Sequence, residues 1–240
     1  MTKAVVLSWS GGKDSSLALE ALRADDRYEV VGLLTSITSS YDRVSIHGVR
    51  RALVEAQASE IGLPLYEVTL DPTSSNEAYE AAFLAALRRL REVAPDVEII
   101  AFGDLHLEDV RAYRERLLRS TRYKPVFPLW GSDTALLAAE FIARGFRAVV
   151  VCVDTTQLAG SYAGHAFDIA LLAELPPGVD PCGEGGEFHT FVHSGPVFGR
   201  PIPVQIGATM LRDDRFMFCE LEFDGVVATN AGALSASTCP

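Results

Sequence analysis

The residues from Ser8 to Ser16 have the types and spacing to bind phosphate. They read Ser-Trp-Ser-Gly-Gly-Lys-Asp-Ser-Ser, directly after the apolar run Ala4–Leu7 and directly before a helical pattern. The two adjacent glycines allow φ > 0 and a close approach of the backbone to an anion. The N–H groups of such a loop and of the helix N-terminus would point at that anion, whose charge the helix dipole favours. Hydroxyls of Ser10 and Ser15 and the ammonium of Lys13 add donors.

We therefore predict a nucleotide site built on this loop and on the ends of two further strands. The loop is not a Walker P-loop, because the G-x-x-x-x-G-K-[ST] spacing is absent. The alternative interpretations are a structural strand-to-helix turn and, for Asp104, a helix N-cap. The predicted nucleotide-binding residues are Ser8, Ser10, Gly11, Gly12, Lys13, Asp14, Ser15, Ser16, Thr35, Gly103 and Asp104.

A second group of chemically active side chains lies at 181–191, which reads Pro-Cys-Gly-Glu-Gly-Gly-Glu-Phe-His-Thr-Phe. The three glycines predict a compact loop that presents the carboxylates of Glu184 and Glu187 and the imidazole of His189. The carboxylates could bind Mg²⁺ or hold an amine, and the imidazole could shuttle a proton near neutral pH. A surface turn with solvated acids is the alternative.

The elements that must position these groups alternate between strand and helix through the first half of the chain. Short apolar or β-branched runs predict strands, and a helical pattern follows each of them. This alternation predicts a doubly wound parallel sheet covered on both faces, with ligands at the carboxyl ends of the strands. The predicted strands are 4–7, 30–35, 65–69 and 97–102, and the predicted helices are 15–23, 44–61, 76–93 and 108–120.

The second half of the chain predicts a smaller α+β domain. We place the boundary at Lys124-Pro125, which gives a nucleotide-binding domain over 1–124 and a substrate or acceptor domain over 125–225. The small, apolar tail over 226–240 is expected to be disordered. Within the second domain, the predicted elements are a helix over 133–144 and strands over 148–153, 190–193, 203–206 and 216–223.

The overall composition restricts the partners of the protein. The 21 Lys and Arg residues against 32 Asp and Glu residues give a net charge of −11, which argues against broad binding to nucleic acid or anionic membranes. The four cysteines form no C-x-x-C pair, so neither a zinc ribbon nor a redox dithiol is predicted. No signal peptide or membrane-length apolar stretch is visible, so we expect a cytoplasmic location and no membrane partner.

The string Ser10–Ser15 resembles the pyrophosphate loop of the N-type ATP pyrophosphatases, a HUP-like, PP-loop superfamily. Within that superfamily, 183–190 is similar to the Gly-Glu-x-Gly-Glu-aromatic-His-Thr motif of the diphthine–ammonia ligase family. Gly185 stands where that family usually has Asn, and Gly164-His165 stands where it often has Gly-Arg. The resemblance covers roughly residues 3–205. The other agreeing pieces are Gly103-Asp104, Arg111, Glu115, Pro128-Leu129-Trp130 and Gly195-Pro196-Val197-Phe198.

The resemblance implies an ATP-dependent ligase that adenylates a carboxylate with Mg·ATP, releases pyrophosphate and transfers ammonia to form an amide. The implied acceptor is diphthine, a modified histidine on translation elongation factor 2, or else a small carboxylate. Asp14 is implied as the residue that assists the metal. The implied catalytic residues are Lys13, Asp14, Glu184, Glu187 and His189, and the implied substrate-binding residues are His47, Arg111, Glu115 and Gly164.

Two other functions stay open from the sequence. A tRNA-modifying PP-loop enzyme usually needs a basic groove or extra cysteines, against which the net charge argues. A non-catalytic ATP-binding protein would bind ATP without releasing pyrophosphate. His47, at the start of the predicted helix 44–61, has a cap or packing role as its alternative, and a homodimer is a further open expectation.

Overall fold

The computed structural model describes residues 2–71 and 75–223. Its first sheet has β1 at its centre, with β2 on one side and β5 on the other; β4 joins β2 and β6 joins β5, all parallel. A short strand, β3, pairs antiparallel with β2. The strands are β1 (Lys3–Ser8), β2 (Tyr28–Thr38), β3 (Arg43–Val44), β4 (Leu65–Leu70), β5 (Ile99–Ala101) and β6 (Lys124–Val126).

This topology confirms the predicted doubly wound sheet. The strand order reverses on the two sides of β1, so the crevice between the carboxyl ends of β1 and β5 is where such sheets bind ligands. Alternate residues of β1 face opposite layers: Val5 and Leu7 belong to one buried cluster and Val6 to another. The covering helices are α1 (Lys13–Arg23), α2 (Arg51–Ile61), α3 (Asn76–Val93) and α4 (Glu108–Leu118).

The smaller α+β part of the chain is present as predicted, and its sheet is antiparallel. Its order is β8-β7-β10-β9, with the wholly apolar middle of β7 buried at its centre. Its strands are β7 (Arg147–Asp154), β8 (Phe188–Ser194), β9 (Gln205–Arg212) and β10 (Phe216–Glu222), and its helices are α5 (Thr134–Ala143) and α6 (Ile169–Glu174).

One hydrophobic cluster joins the two sheets. It contains Leu17 of α1 and Leu53 of α2 together with Val151, Phe188 and Phe191 of the second sheet. The strand β8 therefore lies against the layer that carries the loop with Gly11 and Gly12, which we call the Gly-Gly loop. Within the described residues, no helix is both long enough and apolar enough to cross a membrane.

Several predicted element bounds are wrong for local reasons. The second helix begins at Arg51 rather than Val44. Val44 lies in β3, where it pairs with Ile37 of β2. After it, Ile46 and Gly48 have left-handed φ angles of 70° and 72°, which a helix does not allow. His47 consequently lies in a turn before the helix.

The strands at two sheet edges also differ from the prediction. The three-residue strand β6 was not predicted, and the proposed boundary at Lys124-Pro125 falls within it; Pro125 is tolerated because β6 is an edge strand. The strand predicted over 203–206 is β9, which begins at Gln205 and continues to Arg212. The predicted tail 226–240 lies outside the described residues.

Candidate active site

The Gly-Gly loop forms a tight connection between β1 and α1. Gly11 has φ of +81°, and Gly12, the N-cap of α1, is extended and offers no side-chain cap. The hydroxyls of Ser15 and Ser16 both donate to the Gly12 carbonyl oxygen, at 2.9 and 3.0 Å. No described residue accepts a hydrogen bond from the backbone N–H of Asp14 or Ser15. The first turn of α1 thus keeps free donors for an anion.

Strand β8 of the second sheet holds this loop from outside the first sheet. The Lys13 N–H donates to the Thr190 hydroxyl oxygen at 3.1 Å, and the Val192 N–H donates to the Gly11 carbonyl oxygen at 2.9 Å. A Cβ atom on Gly12 would lie 3.0 Å from the Thr190 carbonyl oxygen. A side chain at 12 would therefore crowd β8.

Gln57 on α2 completes the support and was missed from the sequence. Its amide nitrogen donates to the carbonyl oxygens of Gly11 (3.0 Å) and Val192 (2.7 Å), and its amide oxygen accepts from the Trp9 indole N–H at 2.8 Å. The side chain is fully buried. The available signal was its spacing: Gln57 lies four residues from both Leu53 and Ile61, on the buried stripe of α2.

Lys13 is buried at the start of α1. Its ammonium nitrogen lies 2.9 Å from a carboxylate oxygen of Asp14 and over the rings of Phe188 and Phe167, with centroids 5.6 and 5.9 Å away. Burial alone would lower the Lys13 pKa, but the negative charges of Asp14 and Glu184 outweigh burial and raise it. Lys13 therefore stays positively charged at neutral pH.

Asp104 faces the same loop from the end of β5. A Cβ atom on Gly103 would lie 3.1 Å from the Asp14 carbonyl, which shows how closely the two segments approach. Burial raises the Asp104 pKa, and the negative charge of Asp14 adds to the rise. The positive charge of Arg114, whose Nε lies 3.8 Å from Asp104 Oδ2, acts to lower it. One oxygen of Asp14 (Oδ1) and one of Asp104 (Oδ2) are buried without a hydrogen-bond partner among the described residues.

Glu184 brings a third carboxylate to this group from the loop over 181–187. Its Oε1 accepts from the backbone N–H groups of Leu105 (2.9 Å) and His106 (3.2 Å). Burial raises the Glu184 pKa and the charge of Asp14 contributes to the rise, although the two backbone donors act against it. We call Asp14, Asp104 and Glu184 the carboxylate cluster. Within the described chain, no three His, Cys, Asp or Glu side chains form a metal site by themselves.

Glu187 turns toward its own loop. Its Oε1 accepts from the Asp180 N–H at 3.1 Å, and its buried Oε2 has no partner among the described residues. A Cβ atom on Gly185 would lie only 3.0 Å from that carboxylate. The Asp180 carboxylate in turn accepts from the backbone N–H groups of Cys182 (2.8 Å) and Glu184 (3.2 Å). Glu187 thus sits inside a hydrogen-bonded loop.

His47 and His189 meet beside the phosphate loop, with ring centroids 4.8 Å apart. The His47 Nδ1 lies 3.1 Å from the Thr190 carbonyl oxygen, so this nitrogen is the protonated donor and Nε2 keeps its lone pair. Burial and the charge of Lys13 lower the His47 pKa to about 4, despite the Thr190 carbonyl. Burial, His47 and Lys13 lower the His189 pKa well below its usual value. Both rings are neutral at physiological pH.

The remaining predicted residues make their contacts elsewhere. Arg111 and Glu115 pair on α4 at 2.9 Å, and the Arg111 guanidinium stacks over Trp130, 4.6 Å from its centroid. Gly164, with φ of +91°, lies in a turn beside the second sheet; its N–H donates to the Val150 carbonyl oxygen, and a Cβ atom there would lie 3.4 Å from Cys219 and Ile206. Thr35 is buried in β2, with no described hydrogen-bond partner for its hydroxyl, and Ser8 ends β1. Their ligand roles stay predictions.

Comparisons with known proteins agree over nearly the whole described chain. Residues 2–125 match the family model described as the diphthamide synthase N-terminal domain, and residues 133–222 match the diphthamide synthase C-terminal domain. Proteins named diphthine–ammonia ligase are similar over most of the chain. The one from Danio rerio is 27% identical over 229 residues, 85% of this chain and 88% of the relative. The one from Rattus norvegicus is 26% identical over 228 residues, 84% and 83%. The one from Homo sapiens is 26% identical over 214 residues, 81% and 80%.

Proposed function

The chain belongs to the diphthamide synthase family of ATP-dependent ligases, and on that premise we propose that it adenylates a carboxylate and converts it to an amide with ammonia. The single observation that carries the proposal is the hydrogen bonding of β8 to the Gly-Gly loop. It sets the phosphate donors of the loop beside His189 and the carboxylate cluster. Because the relatives are named diphthine–ammonia ligases, we propose diphthine on elongation factor 2 as the acceptor.

In the first proposed step, an acceptor carboxylate oxygen bonds to the α-phosphorus of ATP. The bond from that phosphorus to the oxygen bridging to the β-phosphorus breaks, and pyrophosphate leaves with the electron pair. The free N–H groups of Asp14 and Ser15 and the buried ammonium of Lys13 are the donors that stabilise this developing charge. They are worth more here than in water because the site is largely buried.

The carboxylate cluster fits Mg²⁺ as the partner of the nucleotide phosphates. Mg²⁺ is usually held by one or two carboxylates together with phosphate oxygens, so a site of three protein ligands is not required. The proposed ligands are the oxygens of Asp14 and Asp104 that have no hydrogen-bond partner among the described residues, the second of which lies 3.8 Å from Arg114 Nε. When bound, the ion supplies charge neutralisation at the phosphates.

In the second proposed step, the ammonia nitrogen bonds to the adenylated carbonyl carbon and AMP leaves with the electron pair. The nitrogen then loses one proton to give the neutral amide. The neutral imidazole of His189 is the proposed acceptor for that proton, with His47 packed against it. The Nδ1–H of His47 is engaged by the Thr190 carbonyl.

The products of ATP turnover test the proposal. The full chain is incubated with labelled ATP, Mg²⁺, isotopically labelled ammonium and diphthine-bearing elongation factor 2. We expect AMP and pyrophosphate by chromatography and labelled nitrogen in the acceptor by mass spectrometry. ADP and phosphate as the main products would overturn the adenylation step. Binding of ATP without any pyrophosphate release would instead identify a non-catalytic ATP-binding protein.

A further inference from the structure

Thr190 has no assigned role, although it lies directly against the start of α1. It is 2% exposed, and its hydroxyl oxygen accepts the Lys13 N–H at 3.1 Å from 177 residues away. We propose that the Thr190 hydroxyl is a ligand of the pyrophosphate portion of the nucleotide, donated to the site by the second sheet. This inference rests on the proposed function and names a further phosphate-binding residue for it.

The Thr190 hydroxyl takes the place of the side-chain cap that α1 lacks. An N-terminal turn leaves N–H donors that a Ser, Thr, Asp or Asn side chain at the N-cap usually accepts. Here the N-cap is Gly12, which has no side chain, and Thr190 supplies the oxygen instead. The hydroxyl thereby lies at the end of the helix where an anion is favoured.

The hydroxyl proton of Thr190 is free to meet that anion. A threonine hydroxyl has one donor and two acceptor positions, and the Lys13 N–H occupies one acceptor. No described residue accepts the hydroxyl proton. A buried donor without an acceptor is unfavourable, so a phosphate oxygen next to it would gain a hydrogen bond to a charged group.

The backbone around Thr190 cannot easily move the hydroxyl away. The Thr190 carbonyl is bonded by His47 at 3.1 Å, and two residues later the N–H of Val192 is bonded to Gly11 while its carbonyl is bonded to Gln57. The hydroxyl is therefore preorganised, which is the condition for strong stabilisation of charge. The preceding residue is His189, so the same strand would supply both a ligand of the pyrophosphate and the proposed proton acceptor.

The test compares affinities for pyrophosphate and for AMP in the full chain. Thr190→Val removes the hydroxyl and keeps the shape, Thr190→Ser keeps the hydroxyl, and Thr121→Val removes a hydroxyl that donates to Leu118 at the end of α4. Titration calorimetry with inorganic pyrophosphate should show roughly 10-fold or more weaker binding for Thr190→Val, as expected for a lost hydrogen bond to a charged group. AMP affinity should stay within about two-fold, and the Thr190→Ser and Thr121→Val proteins should bind pyrophosphate as the wild type does.

Other outcomes distinguish a failure of the Thr190 inference from a failure of the proposed function. Wild-type pyrophosphate affinity in Thr190→Val would overturn the inference, as would an equal loss of pyrophosphate and AMP affinity, which indicates a structural contact only. If the valine variant does not fold, Thr190→Ala removes the same hydroxyl without added bulk and carries the same comparison. A wild-type protein that neither binds pyrophosphate nor releases it from ATP would instead overturn the proposed function, and the inference with it.

Discussion

The Gly-Gly loop and the carboxylate cluster beside it differ in how complete their hydrogen bonding is. The Gly11 carbonyl is bonded by both Gln57 and Val192, and the Lys13 N–H is bonded to Thr190. In the cluster, one oxygen of Asp14 and one of Asp104 have no hydrogen-bond partner among the described residues, although the Asp104 oxygen lies 3.8 Å from Arg114 Nε. The backbone of the Gly-Gly loop is therefore already fixed, whereas the carboxylate cluster keeps unused acceptor positions.

Strand β8 of the second sheet is part of what holds the Gly-Gly loop in place. Two of the three supports of the loop come from β8, and the same strand contributes Phe188 and Phe191 to the shared hydrophobic cluster. A division into an independent nucleotide domain and an independent acceptor domain would separate the loop from its supports. A fragment and variants of the chain can test this difference between the fixed loop and the incomplete cluster.

The largest effect is expected from removing the second sheet. A fragment over 1–126 retains all of the first sheet but loses Thr190, Val192 and the apolar side chains of β8. We expect it to show no cooperative unfolding transition and no ATP binding, measured by circular dichroism and calorimetry against a 1–223 control. A fragment that unfolds cooperatively and binds ATP would show that the loop needs no support from β8.

The next largest effect is expected at Lys13. Lys13→Met removes the ammonium but fills the space between Phe167 and Phe188. We expect pyrophosphate release to slow by about 10²- to 10³-fold, or roughly 3–4 kcal/mol, the range for a lost donor to developing negative charge. The thermal midpoint serves as the control for folding. Turnover at the wild-type rate would exclude Lys13 from the chemistry.

The histidine pair predicts an acid-dependent loss of stability. The folded-state pKa of His47 is about 4, below its usual 6.5, so its stabilising contribution is complete above pH 6.5 and is lost as the pH falls toward 4. For His47 this amounts to about 3 kcal/mol of unfolding free energy. His189 acts in the same direction, whereas Asp104 and Glu184, whose pKa values are raised, act in the opposite one.

Denaturant titrations from neutral pH down to about 4 measure this loss. The matched variant is His47→Asn, whose amide can still donate to the Thr190 carbonyl but does not titrate. Its stability should fall less steeply with acid than that of the wild type. Equal slopes for the two proteins would mean that His47 is not the titrating group.

The smallest effect is expected at Glu187, where two variants separate the role of its charge from its role in the shape of the loop. Glu187→Ala removes the acceptor for the Asp180 N–H and should lower acceptor-dependent turnover by roughly 10²-fold, with ATP binding within a few-fold. Glu187→Gln keeps that acceptor, so we expect it to retain most of the turnover. Equal losses in the two variants, measured as amide formation, would assign the effect to the charge.

Local patterns predicted the regular elements better than the turns and edges. The helix over 76–93 is Asn76–Val93 in the structure, with Ser75 as its N-cap, because its periodicity and cap are both contained in one segment. The turn before α2 escaped prediction because Val44 pairs with Ile37 in a short hairpin and the backbone turns through left-handed φ angles at Ile46 and Gly48, neither of which a helical pattern reveals. The short strand β6 likewise depends on its neighbour β5.

The sequence by itself determined which donors the loop offers, because Ser10–Ser15 is contiguous and its glycines, hydroxyls and lysine stay together wherever the chain places them. It also indicated the doubly wound sheet, through alternating strand and helix patterns. Only the tertiary structure decided that Gln57 and Thr190 hold the loop, that His47 meets His189, and that the carboxylates crowd together. Those contacts join segments far apart in the chain, and the burial that shifts their pKa values exists only once the two sheets pack.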